Sequence, residues 1–247
     1  MPSTQDFLSL LLYAPALTNA EKRSLAMVHG VEHALPGLRL EWTTSERGDL
    51  ISLNRRDDWV MANTLDGGLP FLCDDNEQSP VTLYGLENPG GPGEKPQFEV
   101  HMRLPINEFV IGQAEPVLAA LGESGAAWWG ELTPFTAAAD IAEQTAPTLD
   151  GPPVPPRGLP VLMAPGAHSP PELPSHLGWV NYWSDASARA LGFPDPSRDA
   201  ELLSRARRTA TNGWVVRLTD EPLDLDRPAH LDALLRSYER FPKIGGR

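Results

Sequence analysis

The sequence predicts an α+β fold, with a mixed and largely antiparallel sheet packed against several helices and a long proline-rich crossover. Three observations lead there. Phe7 to Tyr13 (FLSLLLY) is almost continuously apolar, as expected of a central strand covered on both faces. Phe98, Val100, Met102 and Leu104 alternate with Glu99, His101 and Arg103, the period-two pattern of a half-buried strand. Gly178 to Arg247 then packs strands and helices together at high density.

After the first strand, Thr18 with Glu21 three residues on makes a capping box, opening a helix that runs to about Leu35 before Pro36-Gly37 stops it. Leu38, Leu40 and Trp42 alternate with Arg39 and Glu41, which predicts a second strand. A short helix is expected between Asp57 and Leu65, anchored by Trp59 and Val60, followed by a loop from Asp66 to Pro80. Val81 to Leu86 and Phe98 to Leu104 form a hairpin across ENPGGPGEKP; that segment lacks the Gly-x4-Gly-Lys-Ser/Thr spacing of a phosphate loop. Asn107 to Gly130 reads as mostly helical, with Pro116 as a kink or the first turn of a separate helix. Thr133-Pro134 then supplies an N-cap and first-turn pair for a helix ending near Ala146.

From Pro147 to Pro174, ten of 28 residues are proline, which breaks regular structure and separates a first block, residues 1–146, from a tail, residues 175–247. The segment reads as an interdomain linker or as a crossover lying over one domain. The second is preferred, because the tail alone is too small to bury much core. Within the tail, Trp179 to Trp183 is a strand, and Asp185 to Gly192 a helix whose glycine suits a C-terminal cap. Asp199 to Arg208 reads as a second helix, with acids early and arginines late. Asn212-Gly213 turns into the strand Trp214 to Leu218. A final helix with the stripe Leu231, Leu234, Leu235 and Tyr238 starts at Pro228 and ends before Pro242.

Charge narrows the partners. Twenty Lys and Arg against 33 Asp and Glu give a net charge of −13, which repels phosphate backbones and anionic lipid and attracts basic proteins. Nucleic acid and membrane are therefore not expected as direct partners. Cys73 is the sole cysteine, so a disulfide within the chain and a cysteine zinc cluster are excluded, and Asp74, Asp75 and Glu77 beside it disfavour a thiolate. No Lys or Arg precedes the apolar start, so a secretory signal lacks its charged region and the expected location is cytoplasmic.

His29-Gly30-Val31-Glu32-His33 spells the H-x-x-E-H pattern of inverted zinc metallopeptidases, in which two histidines one turn apart grip the metal and the glutamate activates its water. On a helical wheel Glu32 falls inside the apolar arc and Lys22 projects between His29 and His33, opposing a zinc ion. Two partly exposed histidines at the rim of a packed helix is therefore the preferred reading, and no metal or other cofactor is expected. His168, His176 and His230 are isolated and expected in solvent. Two acidic groups stand out, Asp74, Asp75 and Glu77 in one loop and Asp220, Glu221, Asp224 and Asp226 in another. Such runs are usually solvated; the functional alternative is docking of a basic partner. Among seven tryptophans, the adjacent pair Trp128-Trp129 would point about 100° apart on a helix, leaving one exposed as an interface anchor.

The tail HLGWVNYWSDASARALGF, followed by TNGWVVRLTDEPLDL and a closing amphipathic helix, resembles the C-terminal region of a large uncharacterised bacterial family, and LPGLRLEW near the start matches the same family. That family is similar in layout to immunity proteins of polymorphic toxin and type VI secretion systems. The resemblance implies a non-enzymatic protein that binds and neutralises a cognate toxin, basic if charge complementarity governs the encounter. The surface read for it is Asp74, Asp75, Glu77, Trp128, Trp129, Glu221, Asp224 and Asp226. The alternatives are a zinc hydrolase using His29, Glu32 and His33, and a non-catalytic scaffold.

Overall fold

The computed structural model describes residues 7–17, 22–64, 68–89, 96–145, 154–163 and 170–246; the Thr18–Glu21 capping box and His168 lie outside them. In chain order the elements are β1 (Phe7–Pro15), α1 (Arg23–Ala34), β2 (Trp42–Thr44), β3 (Leu50–Ser52), α2 (Arg56–Thr64), β4 (Leu72–Cys73), β5 (Thr82–Asn88) and β6 (Gln97–Pro105). There follow α3 (Glu108–Gly112), α4 (Ala114–Ser124), β7 (Trp129–Pro134), α5 (Phe135–Ala142), β8 (Val180–Trp183), α6 (Asp185–Leu191), α7 (Ala200–Leu203), β9 (Ala206–Arg208), β10 (Trp214–Arg217) and α8 (Pro228–Arg240). Among the described residues ten strands form one sheet in the order β3-β2-β4-β5-β6-β1-β7-β8-β10-β9, and each pairing is antiparallel.

The apolar first strand sits between β6 and β7, and its register sorts the side chains of the sheet onto two faces. Residues paired across strands share a face, so Leu10 lines up with Met102 and Leu132, and Leu12 with Val100 and Gly130. This face is apolar and fully buried. Helix α4 crosses it over β1, β7, β8 and β10, with α1 packed on α4. Gly122 of α4 rides on the Tyr182 ring, where a Cβ would stand 2.7 Å from ring carbons. The opposite face carries Tyr13 beside Glu99 and Trp129, and Leu11 beside His101 and Glu131. Leu11 is only half-buried, so β1 is sealed on one face and mixed on the other, not covered on both as its composition predicts. Substantial helical cover would exclude the ionisable groups that β6 and β7 place there.

The α2, β5–β6 hairpin and α8 expectations match within a few residues. The long helix of residues 107–130 breaks at Gln113 into α3 and α4, with Pro116 in the first turn of the second, and α6 closes on Gly192 in the left-handed region at φ 69°. Other segments differ, each for a tertiary reason. Leu38–Glu41 forms no ladder although Leu40 is buried, because its amide donates to the Glu32 carboxylate at 2.8 Å. Thr133 and Pro134 end β7 and α5 begins at Phe135, because the Thr133 hydroxyl is committed inside the sheet. Only Ala200–Leu203 of the expected 199–208 helix is helical; Ala206–Arg208 instead pairs with β10 and covers an edge that would otherwise be open.

The proline-rich segment keeps specific contacts where it is described. Leu162 N donates to Gln144 O, Met163 N to Gly245 O, and Gln144 Nε2 to Pro160 O, while Leu159, Leu162 and Leu173 are buried. Tyr238 of α8 donates its hydroxyl to Gln144 Oε1 at 2.8 Å and accepts from Leu177 N at 3.0 Å.

One buried polar group ties β7 to the start of β8. Thr133 Oγ1 donates to Glu131 Oε2 and accepts from Trp179 N at 2.9 Å. Asn181 brackets Gly178, accepting from its N–H and donating to its carbonyl, both at 2.9 Å. The Gly178 backbone passes so close that a Cβ there would overlap both Glu131 Oε2 and Thr133 Oγ1. Position 178 therefore demands glycine for space, not for backbone freedom. Gly178→Ala is expected to cost about 1–3 kcal/mol in urea unfolding through forced displacement of the buried carboxyl, and a variant as stable as the parent would contradict the close approach.

Candidate functional site

The sequence-predicted site residues do not converge. The Asp74, Asp75 and Glu77 loop joins β4 to β5, while Glu221, Asp224 and Asp226 follow β10, six strands away in the sheet. At ~4.8 Å per strand these loops stand roughly 29 Å apart along the sheet. Trp128 lies at the opposite strand ends, donating its N–H to Tyr13 O. Trp129 is a strand residue, not a helical one: α4 stops at Ser124, and Trp129 is 2% exposed and stacked on Tyr13 at 4.5 Å. A ring buried in this way is no interface anchor; Trp128, half-buried, keeps some surface.

The second acidic loop is occupied internally. Glu221 pairs with Arg227, Asp226 accepts from Arg157 Nη1 at 2.8 Å, and Asp224 N donates to His230 Nδ1 at 3.0 Å. His230 is thus buried and bonded, not solvated. These contacts hold the loop to the start of α8 and to the proline-rich segment.

The first acidic loop borders a groove of about 640 Å³ at the β3 end of the sheet. Trp42 pairs with Cys73 and Cys73 with Thr82, so these three share one face and form the groove floor, with Phe71 and Leu50 alongside. Four carboxylates line it, Asp49, Asp74, Asp75 and Glu77, and no Lys, Arg or His does. Asp74 is structural as well, because its Oδ1 accepts from Val81 N at 3.0 Å and from Asn76 N at 3.4 Å. Burial raises its pKa, which the backbone hydrogen bonds oppose and the neighbouring Asp75 charge reinforces. Asp75 and Glu77 are exposed and make no ion pair among the described residues. The Thr82 hydroxyl on the floor is buried without a hydrogen-bond partner. Burial, followed by the charge of Asp74, raises the Cys73 thiol pKa and keeps it protonated.

The H-x-x-E-H residues are engaged in packing. Glu32 accepts from Arg56 Nη1 at 2.5 Å with both side chains nearly buried, and the same oxygen takes the Leu40 amide. His29 Nε2 lies 3.0 Å from Asp57 Oδ2 and is half exposed, and His33 lies in the last turn. The segment therefore joins α1 to α2, and among the described residues no three His, Cys, Asp or Glu side chains are grouped to hold a metal ion.

Sequence reasoning missed a set of titratable groups at the sheet centre. His176, expected in solvent, is buried with its ring edge on Trp129 at 5.5 Å and no partner for Nδ1. Burial lowers its pKa to about 4, against a weaker upward pull from Glu99. Glu131 is buried and its pKa is pushed up to about 7 by desolvation, with the Thr133 hydrogen bond opposing. Tyr13 is raised first by burial, then by the charge and hydrogen bond of Glu99, and Glu99 also pairs with His101 at 2.8 Å. Only the strand register brings these residues together.

The family model for a domain of unknown function, DUF5953, matches residues 19–247. The chain belongs to this family. Its fold is similar to that of the Pseudomonas aeruginosa T6SS protein PA0821, with a TM-score of 0.53 and 14% identity over 95% of this chain and 76% of that one. No curated protein matches. Among the described residues no helix is long and apolar enough to cross a membrane.

Glu131 and His176 give opposite pH responses. A Glu side chain ionises near 4.5 when unfolded and near 7 at position 131, so below pH 4.5 both states are protonated and the group is neutral for stability. Between pH 4.5 and 7 the unfolded chain releases its proton first, stability falls as pH rises, and the full penalty of about 3 kcal/mol is present above pH 7. His176 acts the other way: its folded pKa near 4 lies below the ordinary 6.5, so its stabilisation is present above pH 6.5 and is lost as pH falls towards 4. Glu131→Gln is expected to match wild type at pH 4 and to gain about 3 kcal/mol relative to it by pH 8. Chemical denaturation across that range checks it, and a difference independent of pH would refute the buried protonated carboxyl.

Proposed function

We propose that this DUF5953 protein is a non-enzymatic immunity protein that binds and neutralises a cognate toxin of a type VI secretion system in the cytoplasm. The observation that carries this reading is the groove at the β3 end of the sheet. Its rim carboxylates Asp75 and Glu77 make no ion pair among the described residues, while its floor offers Trp42 and Phe71. Such a surface suits an Arg or Lys side chain whose aliphatic stem lies on the aromatic floor and whose head pairs with the rim. The net charge of −13 adds long-range attraction for a basic toxin, which raises the association rate. The fold shared with a T6SS protein and the layout of the Gly178-Trp179 and Gly213-Trp214 strands support the same assignment.

Affinity capture from the parent bacterium, with wild-type protein and with the Asp75→Lys/Glu77→Lys variant side by side, tests the reading. The expected partner is basic, is toxic when expressed alone, is tolerated when co-expressed with the wild-type protein, and binds the charge-reversed variant roughly a hundredfold more weakly. A partner captured equally by both proteins, or harmless on its own, would overturn the assignment.

A further inference from the structure

At the other end of the sheet, beyond β10, the charge reverses. A pocket of about 160 Å³ lies between α7, β10 and α8, walled by Arg198, Arg205, Arg236 and Arg240 over a floor that includes Leu202 and Leu218. These guanidiniums come from three places: the loop before α7, the residue pair following it, and successive turns of α8. Two of them are partly committed. Arg240 grips the buried Asp199 carboxylate with Nε and Nη2 at 2.6 and 2.9 Å, and Arg205 donates to Glu201 at 2.9 Å. The Arg205 hydrogen bond is the first cause holding the Glu201 carboxyl below its usual pKa, and Arg236 contributes by its charge. Arg198 and Arg236 are exposed and make no ion pair among the described residues. Counting Glu201, Asp199 and Asp195, whose charge is coupled to Arg198 and Arg240, against the four arginines leaves an excess of one positive charge around one small cavity.

We infer that this pocket is a binding site for a phosphate group carried by a small molecule. Guanidinium forks pair with tetrahedral oxyanions through two parallel N–H donors, and arginine rather than lysine is the residue suited to that geometry. The paired carboxylates fix Arg240 and Arg205, so two walls of the site are pre-organised and the free Arg198 and Arg236 close on the ligand. At about 160 Å³ the cavity is smaller than the roughly 300–1,000 Å³ of sites that enclose a whole drug-sized ligand. It therefore takes the phosphate and leaves the remainder of the molecule outside. A chain of net charge −13 repels anions generally, so binding here depends on this local reversal. The site lies at the opposite end of the sheet from the acidic groove, and its outcome is independent of the toxin-binding reading.

Isothermal titration with inorganic phosphate, with phosphoserine as a small monoester, and with chloride at matched ionic strength tests the assignment. Saturable one-to-one binding of phosphate and the monoester, absent with chloride, is expected. Arg236→Gln should weaken binding at least tenfold, and Arg198→Gln/Arg236→Gln should abolish it while leaving the unfolding midpoint near that of wild type. Equal responses to phosphate and chloride, or phosphate binding that survives in the double variant, would overturn the inference. Binding of phosphate without the monoester would show that the cavity admits only the free ion, and would overturn the small-molecule assignment.

Discussion

The antiparallel pairing of β1 with β6 on one side and β7 on the other is the constraint on which the rest of the molecule depends. β1 carries only Ser9 and Tyr13 as polar side chains, so its N–H and C=O groups are met by ladders on both edges. Once both ladders form, the register decides which side chains face α1 and α4 and which face the other way. A slip of one residue in β1 would turn Leu10 and Leu12 onto the face that carries Glu99, His101 and Glu131. The two halves of the sheet are joined at this strand, so its register couples the β3 end to the β9 end.

That two-faced arrangement accounts for the burial of ionisable groups. The helix-covered face is filled by apolar side chains, among them Leu10, Leu12, Val100, Phe98 and the Tyr182 ring. The other face is closed over β7 and β8 by the chain before β8, which brings His176 and the Gly178 backbone, the latter bonded to Asn181 of β8. A buried carboxyl there is tolerable because desolvation pushes its pKa up to about 7, so that it is protonated below neutral pH, and because Thr133 supplies a hydrogen bond. In the β10–α8 loop, Glu221 and Asp226 pair with Arg227 and Arg157 while remaining mostly exposed. Acidic residues in this chain thus divide by their environment. Asp199 and Glu32 are held by arginines and Asp74 by backbone amides, whereas Asp75 and Glu77 are exposed and make no ion pair among the described residues.

The ends of the sheet carry opposite local charge. The β3 end presents carboxylates over an aromatic floor, and the β9 end presents guanidiniums around a small cavity. Net charge alone describes neither, since it averages a surface whose two ends select different partners. Both sheet edges are short strands, which limits open-edge pairing between copies.

Periodicity and cap chemistry determined the α+β class, the central strand, the β5–β6 hairpin and the helix beginning at Pro228, because those signals are local and the tertiary structure leaves them intact. The Gly-Trp openings of β8 and β10 were legible as well, and the structure supplies the reason at Gly178: a carboxyl occupies the space a side chain would need. What the sequence could not determine depends on neighbours distant in the chain. Arg207 and Arg208 look helical until β10 offers a ladder, Trp129 looks like a helix-surface residue until Tyr13 stacks on it, and His176 looks solvated until the sheet closes around it. The acidic loop was visible as a run of charge, but the groove needs Trp42, Cys73 and Thr82 aligned from three strands. Only the register sets that alignment, because hydrogen bonding between strands, and not proximity in sequence, decides which side chains meet.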